Sequence, residues 1–455
     1  MSDNCENFYI TKMRFIIILI PLLFLACGET GRSPSDEELE LNYNYRLLKA
    51  YFYHPERIKE YSAYEGMEID DMYKSLEDYF CGARYTENCG SRYTFYTLPK
   101  EADQKIEQIE NTAKYYSFGF ERTVIQKEGS PDTLLVSAVY PISPADSAGL
   151  KRGDKLLFAN GSTLTGENAA RYLKTDSMFD DVTAFKVLRG EKIENLKAVR
   201  KADVQNPTVF LDSLRGIPFI RVTGYKIRSN DPNGTYAEFK NVLQKIKSAP
   251  AAIMDLRGNP GGNIGHCTAM AAELVPFDSE LVYDEEHYYD RQRGNVIDSV
   301  HYFAKDFLNS EGTGVGIKWI LLMDRNSASC AERFAAAVKY NRDETVIIGE
   351  ASYGKGIGQI YTRTYLGGLA YITSIQSFYP DGKTFHNIGI EPNVPVPPDD
   401  TSAVNSAALA AAQDFGSQIL AKQFFAPLTS EEVPPGHKAE EVGGAYKYRL
   451  FHQWE

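Results

Sequence analysis

The feature that most constrains the fold is an alternation of strand and helix patterns between residues 207 and 398. Three short apolar runs are typical of buried strands: Pro218–Thr223, Ala252–Leu256 and Trp319–Met323. Between the first two runs, Phe239, Val242, Leu243 and Ile246 have the spacing of one helix face. Repeated strand–helix units predict an α/β layer structure, in which chemistry is expected at the strand ends.

Length and charge exclude several classes of protein. The chain has 455 residues, more than one typical domain, so we expect two or three folded units. With 61 acidic against 49 basic residues it carries a net charge of -12, which offers no basic face for nucleic acid. Its 30 Tyr and 24 Phe supply core-forming area that disordered chains lack.

Residues 1–27 have the pattern of an export signal. Arg14 precedes an apolar run of residues 15–26, which is shorter than the roughly 20 residues of a membrane-spanning helix. Leu25-Ala26-Cys27 resembles a bacterial lipoprotein box, so we expect a lipid on Cys27 that anchors the chain to a membrane. The alternative is an ordinary secretory signal cleaved nearby. We expect a protein of the bacterial cell envelope, facing the periplasm or carried as a surface lipoprotein.

Export to an oxidising compartment allows the cysteines to be interpreted as disulfide bridges. Cys81 and Cys89 are close in sequence and lie in no Cys-x-x-Cys or metal-ligand spacing, which predicts a local disulfide. Cys267 and Cys330 lie in segments expected to be helical and buried. There we expect free thiols that pack as small apolar groups.

Pattern changes divide the chain into five segments. Residues 28–40 are polar and acidic, as in a tether, and a helical pattern rich in Tyr follows from about residue 41. The expected segments are 1–27 (signal peptide), 28–112 (tether and N-terminal helical region), 113–203 (β-rich domain), 207–398 (α/β core) and 399–455 (C-terminal tail).

The β-rich segment contains a recognisable motif. A strand pattern at 134–140, a capped short helix at 143–150 and a strand at 155–159 end in the turn Asn160-Gly161. The stretch from 143 to 161 resembles the signature of bacterial PDZ domains.

A second stretch of the same segment matches the carboxylate-binding loop of those domains, namely Ser117-Phe118-Gly119-Phe120. The resemblance implies a nest of backbone N–H groups that binds a peptide's C-terminal carboxylate, beside a strand edge that pairs with the peptide. The alternative is an unrelated β-domain that packs on its neighbour.

Two strand ends of the α/β core carry distinctive loops. Segment 255–262 places three glycines just before a helix, so that its backbone N–H groups can approach a ligand. Segment 324–332 precedes a helix expected over Arg333–Tyr340. Ser329 in that segment can be a helix cap, or a nucleophile at the positive end of the helix.

A third loop, Gly349–Gln359, nearly spells a phosphate-binding loop. Gly356 stands where a Ser or Thr would hold magnesium, and residues 357–364 alternate like a strand, so nucleotide binding is not expected. Lys355, flanked by glycines, can instead lie tightly against another backbone. Desolvation there would lower its pKa, so that the neutral amine can act as a base.

The three loops together resemble the C-terminal processing peptidases, also called tail-specific proteases. The resemblance covers about residues 41–398 and rests on four motifs, at 255–262, 327–332, 354–359 and 389–394. It implies an α/β fold with a crotonase-like peptidase core, an inserted β-rich PDZ domain and an N-terminal helical segment. It also implies a serine endopeptidase with a Ser–Lys dyad that needs no metal and no cofactor.

The resemblance assigns roles residue by residue. It puts the nucleophile on Ser329, the base on Lys355 and the residue that orients the lysine on Gln359, with the N–H groups of Cys330 and Gly262 as oxyanion donors. The family usually has Ala where this chain has Cys330. A Cys330 nucleophile is therefore the alternative, because a thiol at a helix start is acidified.

The implied reaction is acyl transfer from unstructured polypeptides with free, apolar C-termini. None of the seven His residues forms a His-Glu-x-x-His or Ser-His-Asp motif. Two other classes remain open: a catalytically inactive PDZ-type peptide-binding lipoprotein, and an acyl-CoA-converting enzyme on a crotonase-like core.

Overall fold

The computed structural model describes residues 33–76, 93–125, 133–166, 168–173, 182–196, 199–307, 310–397 and 401–414. The expected lipidation at Cys27, the expected bridge between Cys81 and Cys89, and the tail beyond residue 414 lie outside this part of the chain. Within it, helices and strands build a mixed α/β fold.

The N-terminal region is mainly helical. Its elements are α1 (Asp36–Tyr51), α2 (Ile69–Lys74), β1 (Phe95–Thr97), α3 (Pro99–Glu110) and single 3-10 turns at Pro55–Arg57 and Tyr61–Ala63. Helix α1 begins inside the segment expected to be a tether, because Ser35 and Glu38 form a capping box. The Ser35 Oγ accepts from the Glu38 N–H at 3.2 Å, and a Glu38 carboxylate oxygen accepts from the Ser35 N–H at 2.6 Å.

The β-rich unit is built around a six-stranded antiparallel sheet. Its elements are β2 (Lys114–Ser117), β3 (Phe120–Ile125), β4 (Thr133–Val139), α4 (Pro144–Ser147), β5 (Lys155–Ala159), β6 (Ser162–Thr163), α5 (Ala169–Leu173), β7 (Val182–Thr183), β8 (Phe185–Arg189), β9 (Lys192–Asn195), β10 (Val199–Arg200) and β11 (Ala202–Gln205). The sheet order is β3-β4-β5-β8-β9, with β6 on β5. Strand β3 therefore lies at an edge of this sheet.

The α/β core contains a second six-stranded sheet, in the order β12-β13-β14-β17-β18-β21. Its elements are β12 (Val209–Leu214), β13 (Ile217–Val222), α6 (Gly234–Ile246), β14 (Ala251–Asp255), α7 (Ile264–Ala272), β17 (Lys318–Met323), α8 (Cys330–Asn341), β18 (Val346–Gly349), β21 (Val394–Pro395) and α9 (Thr401–Asp414). All pairs from β13 to β21 are parallel. Helices α6, α7 and α8 pack on one face of the sheet, and α9 packs on the other.

This arrangement confirms the α/β layer prediction. The four residues expected to form one face of a helix lie on α6 and are all buried in the core. The buried strands expected at 252–256 and 319–323 are β14 and β17, each within one residue of its expected bounds.

A third sheet was not expected from the sequence. It contains β15 (Glu280–Asp290), β16 (Gly294–Phe303), β19 (Ile357–Arg363), β20 (Leu369–Phe378) and the N-terminal strand β1. Strands β15 and β16 form a long antiparallel hairpin, which continues into the 3-10 turn Ala304–Asp306. Side chains of β16 alternate between exposed and half-buried, so this strand lacks the apolar run that marked the strands of the core.

The parallel sheet decides where the loops meet. Strands β14, β17 and β18 are adjacent and parallel, so the segments that follow them leave from the same edge of the sheet. The segment after β18 then enters β19 in the third sheet. The loops beginning at residues 255, 324 and 349 therefore lie next to one another at the carboxyl ends of these strands.

The packing of α9 predicts a strong contrast between two neighbouring positions. Ala408 is fully buried against the sheet, whereas Ala410 of the same helix is exposed. We expect Ala408→Asp to lower the free energy of unfolding by about 3 kcal/mol, because it buries an unpaired carboxylate. Ala410→Asp, the matched control, should change it by less than about 1 kcal/mol. Urea unfolding of both variants measures this difference, and equal losses would contradict the packing of α9.

Candidate active site

Ser329 lies between β17 and α8 in an unusual backbone conformation. Its φ is 67° and its ψ is -121°, a region that L-residues rarely occupy and that costs conformational energy. The side chain is fully buried, and its Oγ has no hydrogen-bond partner among the described residues. The hydroxyl therefore caps no helix N–H in this structure, and the cap interpretation does not explain this serine.

The glycine loop lies directly against Ser329. Gly261 has a φ of 102°, and a Cβ added to it would lie 2.6 Å from the Ser329 Oγ and 2.9 Å from the Cys330 backbone nitrogen. A side chain at position 261 would therefore overlap both the hydroxyl and this N–H group.

Asn259 holds the glycine loop in this position. Its Oδ1 accepts from the Gly261 N–H at 2.9 Å, and its Nδ2 donates to the Val222 carbonyl oxygen at 2.9 Å. Its own carbonyl oxygen accepts from the Ala328 N–H at 2.9 Å. One fully buried residue thus connects the glycine loop to strand β13 and to the segment that carries Ser329.

The two expected oxyanion donors stand in different surroundings. Cys330 is the first residue of α8, so its N–H has no acceptor within the helix and lies at the positive end of the helix dipole. Gly262 forms an isolated parallel bridge with Tyr225, whose carbonyl oxygen accepts from the Asn263 N–H at 2.8 Å. A side chain at position 261 would point at Ser329, whereas a side chain at position 262 would point at the Tyr225 backbone.

Lys355 is buried in a polar chain of hydrogen bonds. Its Nζ donates to the Gln359 Oε1 at 3.0 Å, and the Gln359 Nε2 donates to the Thr373 Oγ1 at 3.1 Å. The Thr373 hydroxyl in turn donates to the Tyr93 carbonyl oxygen at 3.0 Å. The Nζ also lies 4.9 Å from the centroid of the Tyr93 ring. The structure therefore brings Lys355 and Gln359 together, as expected, and adds Thr373 and Tyr93.

Burial decides the ionisation of this lysine. Desolvation lowers the pKa of Lys355 well below its ordinary value of 10.5, and the nearby Glu332 carboxylate opposes this effect. The glycine that follows this lysine lies close to another backbone segment. A Cβ on Gly356 would lie 2.8 Å from the His386 backbone nitrogen, so only glycine permits this contact.

Glu332 joins the Ser329 segment to the Lys355 segment. Its Oε2 accepts from the Ser329 N–H and from the Lys355 N–H, both at 2.7 Å. Its Oε1 accepts from the Gly354 N–H at 2.6 Å and from the Ser352 hydroxyl at 2.5 Å. Since one oxygen accepts from both residues, the backbone nitrogens of Ser329 and Lys355 lie no more than two hydrogen-bond lengths apart.

Sequence reasoning gave Glu332 no role. The available signal was its position three residues after a serine at a helix start, the spacing of a capping box. Burial raises the pKa of the Glu332 carboxyl, while its four hydrogen bonds lower it.

Cys267 and Cys330 form a disulfide, so the expectation of two free buried thiols was wrong. Helices α7 and α8 pack side by side and bring the two Cα atoms to 5.7 Å, although 63 residues separate them in sequence. The disulfide also removes the alternative in which Cys330 acts as the nucleophile, because its sulfur is not a thiolate.

The expected peptide-binding loop belongs to the β-rich unit. Gly119 has a φ of 81°, and its carbonyl oxygen accepts from the Ser143 hydroxyl at 3.0 Å. Phe118 is buried in the core of the unit, and Phe120 begins the edge strand β3. Ser117 ends β2, which pairs with β11. The four residues therefore form a tight turn against the start of α4, next to a free strand edge.

Other kinds of site are not apparent in the residues that the structure describes. These residues contain no group of three or more His, Cys, Asp or Glu side chains that could hold a metal ion. None of their helices is both long enough and apolar enough to cross a membrane.

Comparisons with known proteins indicate a family of peptidases. Residues 217–396 match the model of Peptidase family S41. Two carboxy-terminal processing proteases of Bacillus subtilis are each 24% identical to the chain. CtpB aligns over 76% of this chain and 68% of its own length, and CtpA over 87% and 78%. The fold is similar to that of a protein described as an S41 protease from Bacteroides fragilis, with a TM-score of 0.51, 12% identity and coverage of 85% of this chain and 99% of that chain.

Residues 217–396 therefore form a domain of Peptidase family S41, a family of serine-type peptidases. The chain as a whole is similar to carboxy-terminal processing proteases, the resemblance that its loop motifs indicated.

The contact between Gly261 and Ser329 predicts a sharp effect of one methyl group. We expect Gly261→Ala to reduce peptide cleavage at least a hundredfold, because the added Cβ would occupy the space beside the Ser329 Oγ. Gly367→Ala is the matched control, since Gly367 also has a positive φ (86°) but nothing within 4 Å of an added Cβ. Similar residual activities for the two variants, in assays of folded protein, would contradict this role of the space.

Proposed function

We propose that the chain is an exported serine endopeptidase in which Ser329 is the nucleophile and Lys355 the general base. The observation that carries the proposal is the Glu332 carboxylate, which holds the backbones of Ser329 and Lys355 together. The serine hydroxyl is buried and forms no hydrogen bond to any described residue, so no structural hydrogen bond has to break before it can react. The lysine is buried and its pKa is lowered, so it can accept a proton.

The first chemical step is attack on the peptide carbonyl carbon. The neutral Lys355 Nζ takes the proton of the Ser329 Oγ as the new C–O bond forms. A neutral amine has two hydrogens and one lone pair. Because Gln359 Oε1 accepts a hydrogen bond from Nζ, it restricts the direction in which the lone pair can point. Thr373 keeps the Gln359 amide in place from the other side.

The tetrahedral intermediate needs donors for its oxyanion. The Cys330 N–H at the start of α8 is one donor, and the Gly262 N–H is the other. Gly261 has no Cβ to overlap the Cys330 N–H, which leaves this donor uncovered. Protonated Lys355 then returns its proton to the leaving amine, and water hydrolyses the acyl-enzyme to regenerate Ser329.

We further propose that the core is crotonase-like and that the β-rich unit, residues 113–203, acts as a PDZ domain that binds substrate C-termini. The turn at Ser117–Phe120 offers backbone N–H groups to a carboxylate, and the free edge of β3 can pair with an extended peptide. Substrates are then unstructured polypeptides with free, apolar C-termini. The signal sequence and Cys27 place the enzyme in the cell envelope through a lipid anchor.

Substitution of Lys355 tests the dyad directly. We expect Lys355→Ala to reduce cleavage by a factor of about 10²–10⁴ while the protein remains folded, because a general base contributes this much. Lys355→Arg should fail as well, since arginine does not deprotonate at working pH.

An active-site serine probe provides the control for these variants. It should label the wild type and leave Ser329→Ala unlabelled. Retention of more than a few per cent of wild-type activity by Lys355→Ala would remove this residue from the role of base.

The lowered pKa of Lys355 predicts how activity depends on pH. Only the neutral amine accepts the serine proton, so kcat/KM should fall as pH decreases through the pKa of Lys355 and rise to a plateau above it, well below pH 10.5. His386 should not cause this transition, because burial lowers its pKa to about 4. The rate of Ser329 labelling, measured against pH, should follow the same curve. A rate that reached its plateau only near pH 10.5 or above would contradict a base with a lowered lysine pKa.

Capture of the C-terminus predicts that amidated peptides are poorer substrates. A free carboxylate would accept charge-assisted hydrogen bonds worth roughly 1.5–3 kcal/mol each. Amidation should therefore raise KM about tenfold or more. Cleavage of one peptide is compared in its free-acid and amidated forms, and equal KM values would mean that the β-rich unit does not bind chain ends.

A further inference from the structure

The Cys267–Cys330 disulfide connects the two segments that would supply the oxyanion donors. Cys330 directly follows Ser329, and Cys267 lies in the first turns of α7, which begins two residues after Gly262. Resting on the proposed function, we propose that Cys267 is a positioning residue. Its disulfide fixes the position of the Cys330 N–H relative to the glycine loop, and full catalytic activity depends on this bond.

The contacts around the sulfurs show how this position is fixed. The Cys267 N–H donates to the Asn263 carbonyl oxygen at 3.2 Å, and the Cys330 Sγ lies 3.2 Å from that same oxygen. The Asn263 side chain caps α7 by accepting from the His266 N–H at 2.9 Å. Both halves of the disulfide therefore contact the residue that immediately follows Gly262.

The fold itself does not depend on this bond alone. Helices α7 and α8 are also joined by a hydrogen bond of 2.9 Å from the Arg333 Nε to the Thr268 Oγ1. Met270 and Phe334 pack with these helices in the large core cluster. Loss of the disulfide should therefore loosen the start of α8 against α7 while the rest of the helix pair stays in place.

A small shift at this point affects catalysis strongly. Removal of one oxyanion donor costs a factor of about 10²–10³ in kcat, and a misplacement of about 1 Å can cost a hundredfold. The Cys330 nitrogen is only three bonds from its sulfur, so a bond that fixes the sulfur limits how far the N–H can move. A partial displacement should lower kcat by at least tenfold.

The disulfide is a constitutive element rather than a switch. Both cysteines are fully buried, so reductants in solution do not reach the sulfurs of the folded protein. It forms during folding, when the two thiols lose two electrons and two protons to an oxidised disulfide of the compartment, which becomes two thiols. This chemistry agrees with the expected export of the chain.

The test compares the wild type with Cys267→Ala/Cys330→Ala. For the double variant we expect kcat to fall at least tenfold and KM to change less than threefold. The affinity for a peptide boronic acid, whose tetrahedral adduct uses the oxyanion donors, should fall in parallel with kcat. Met270→Ala, a control on α7 that leaves the disulfide intact, should lower the melting temperature with kcat within twofold of the wild type.

A wild-type kcat in the double variant would overturn the inference. If that variant does not fold, wild-type protein that has been reduced and unfolded replaces it and is refolded with and without oxidised glutathione, and the thiols of both products are counted. A kcat at least tenfold higher in the oxidised product supports the inference, and equal kcat values overturn it.

A serine probe separates this inference from the proposed function. An active Ser329→Ala variant would overturn the proposed function, and the inference with it. A wild type labelled at Ser329, together with a fully active double variant, would overturn the inference alone.

Discussion

The buried carboxylate of Glu332 is the interaction on which the arrangement of the site depends. It accepts two backbone N–H groups on one oxygen, and a backbone N–H and a hydroxyl on the other. A buried carboxylate without such donors would be strongly disfavoured, so the two loops must stay in place for it to remain satisfied. The helix that carries Ser329 and the loop that carries Lys355 thereby constrain each other.

The same burial controls the chemistry proposed for Lys355. Desolvation penalises the charged amine, and the nearby Glu332 favours it, but desolvation has the larger effect. The Gln359 amide, held in place by Thr373, accepts from the amine, and this neutral partner does not favour the charged form as a carboxylate would. A lysine with a carboxylate as its direct partner would stay protonated, and it could not accept a proton from Ser329.

Much of the core was predictable because its signals are local. The apolar runs of β14 and β17 and the one-sided helix α6 come from contacts between neighbours in sequence and a single buried face. The hairpin of β15 and β16 was not predicted, because the exposed and half-buried side chains of β16 give no continuous apolar run. Helix α8 begins three residues earlier than expected, at Cys330, where the Glu332 carboxylate accepts from the Ser329 N–H.

The sequence by itself determined the family and the residues that merit attention, because short motifs around Ser329, Lys355 and Gln359 keep a recognisable spacing. It could not determine which groups meet across the sheets. The parallel order of β14, β17 and β18 brings their loops together, and only then do Glu332, Thr373 and Tyr93 acquire their partners. The bond between Cys267 and Cys330 was decided in the same way, since its two halves are 63 residues apart and no local pattern records the packing of α7 against α8.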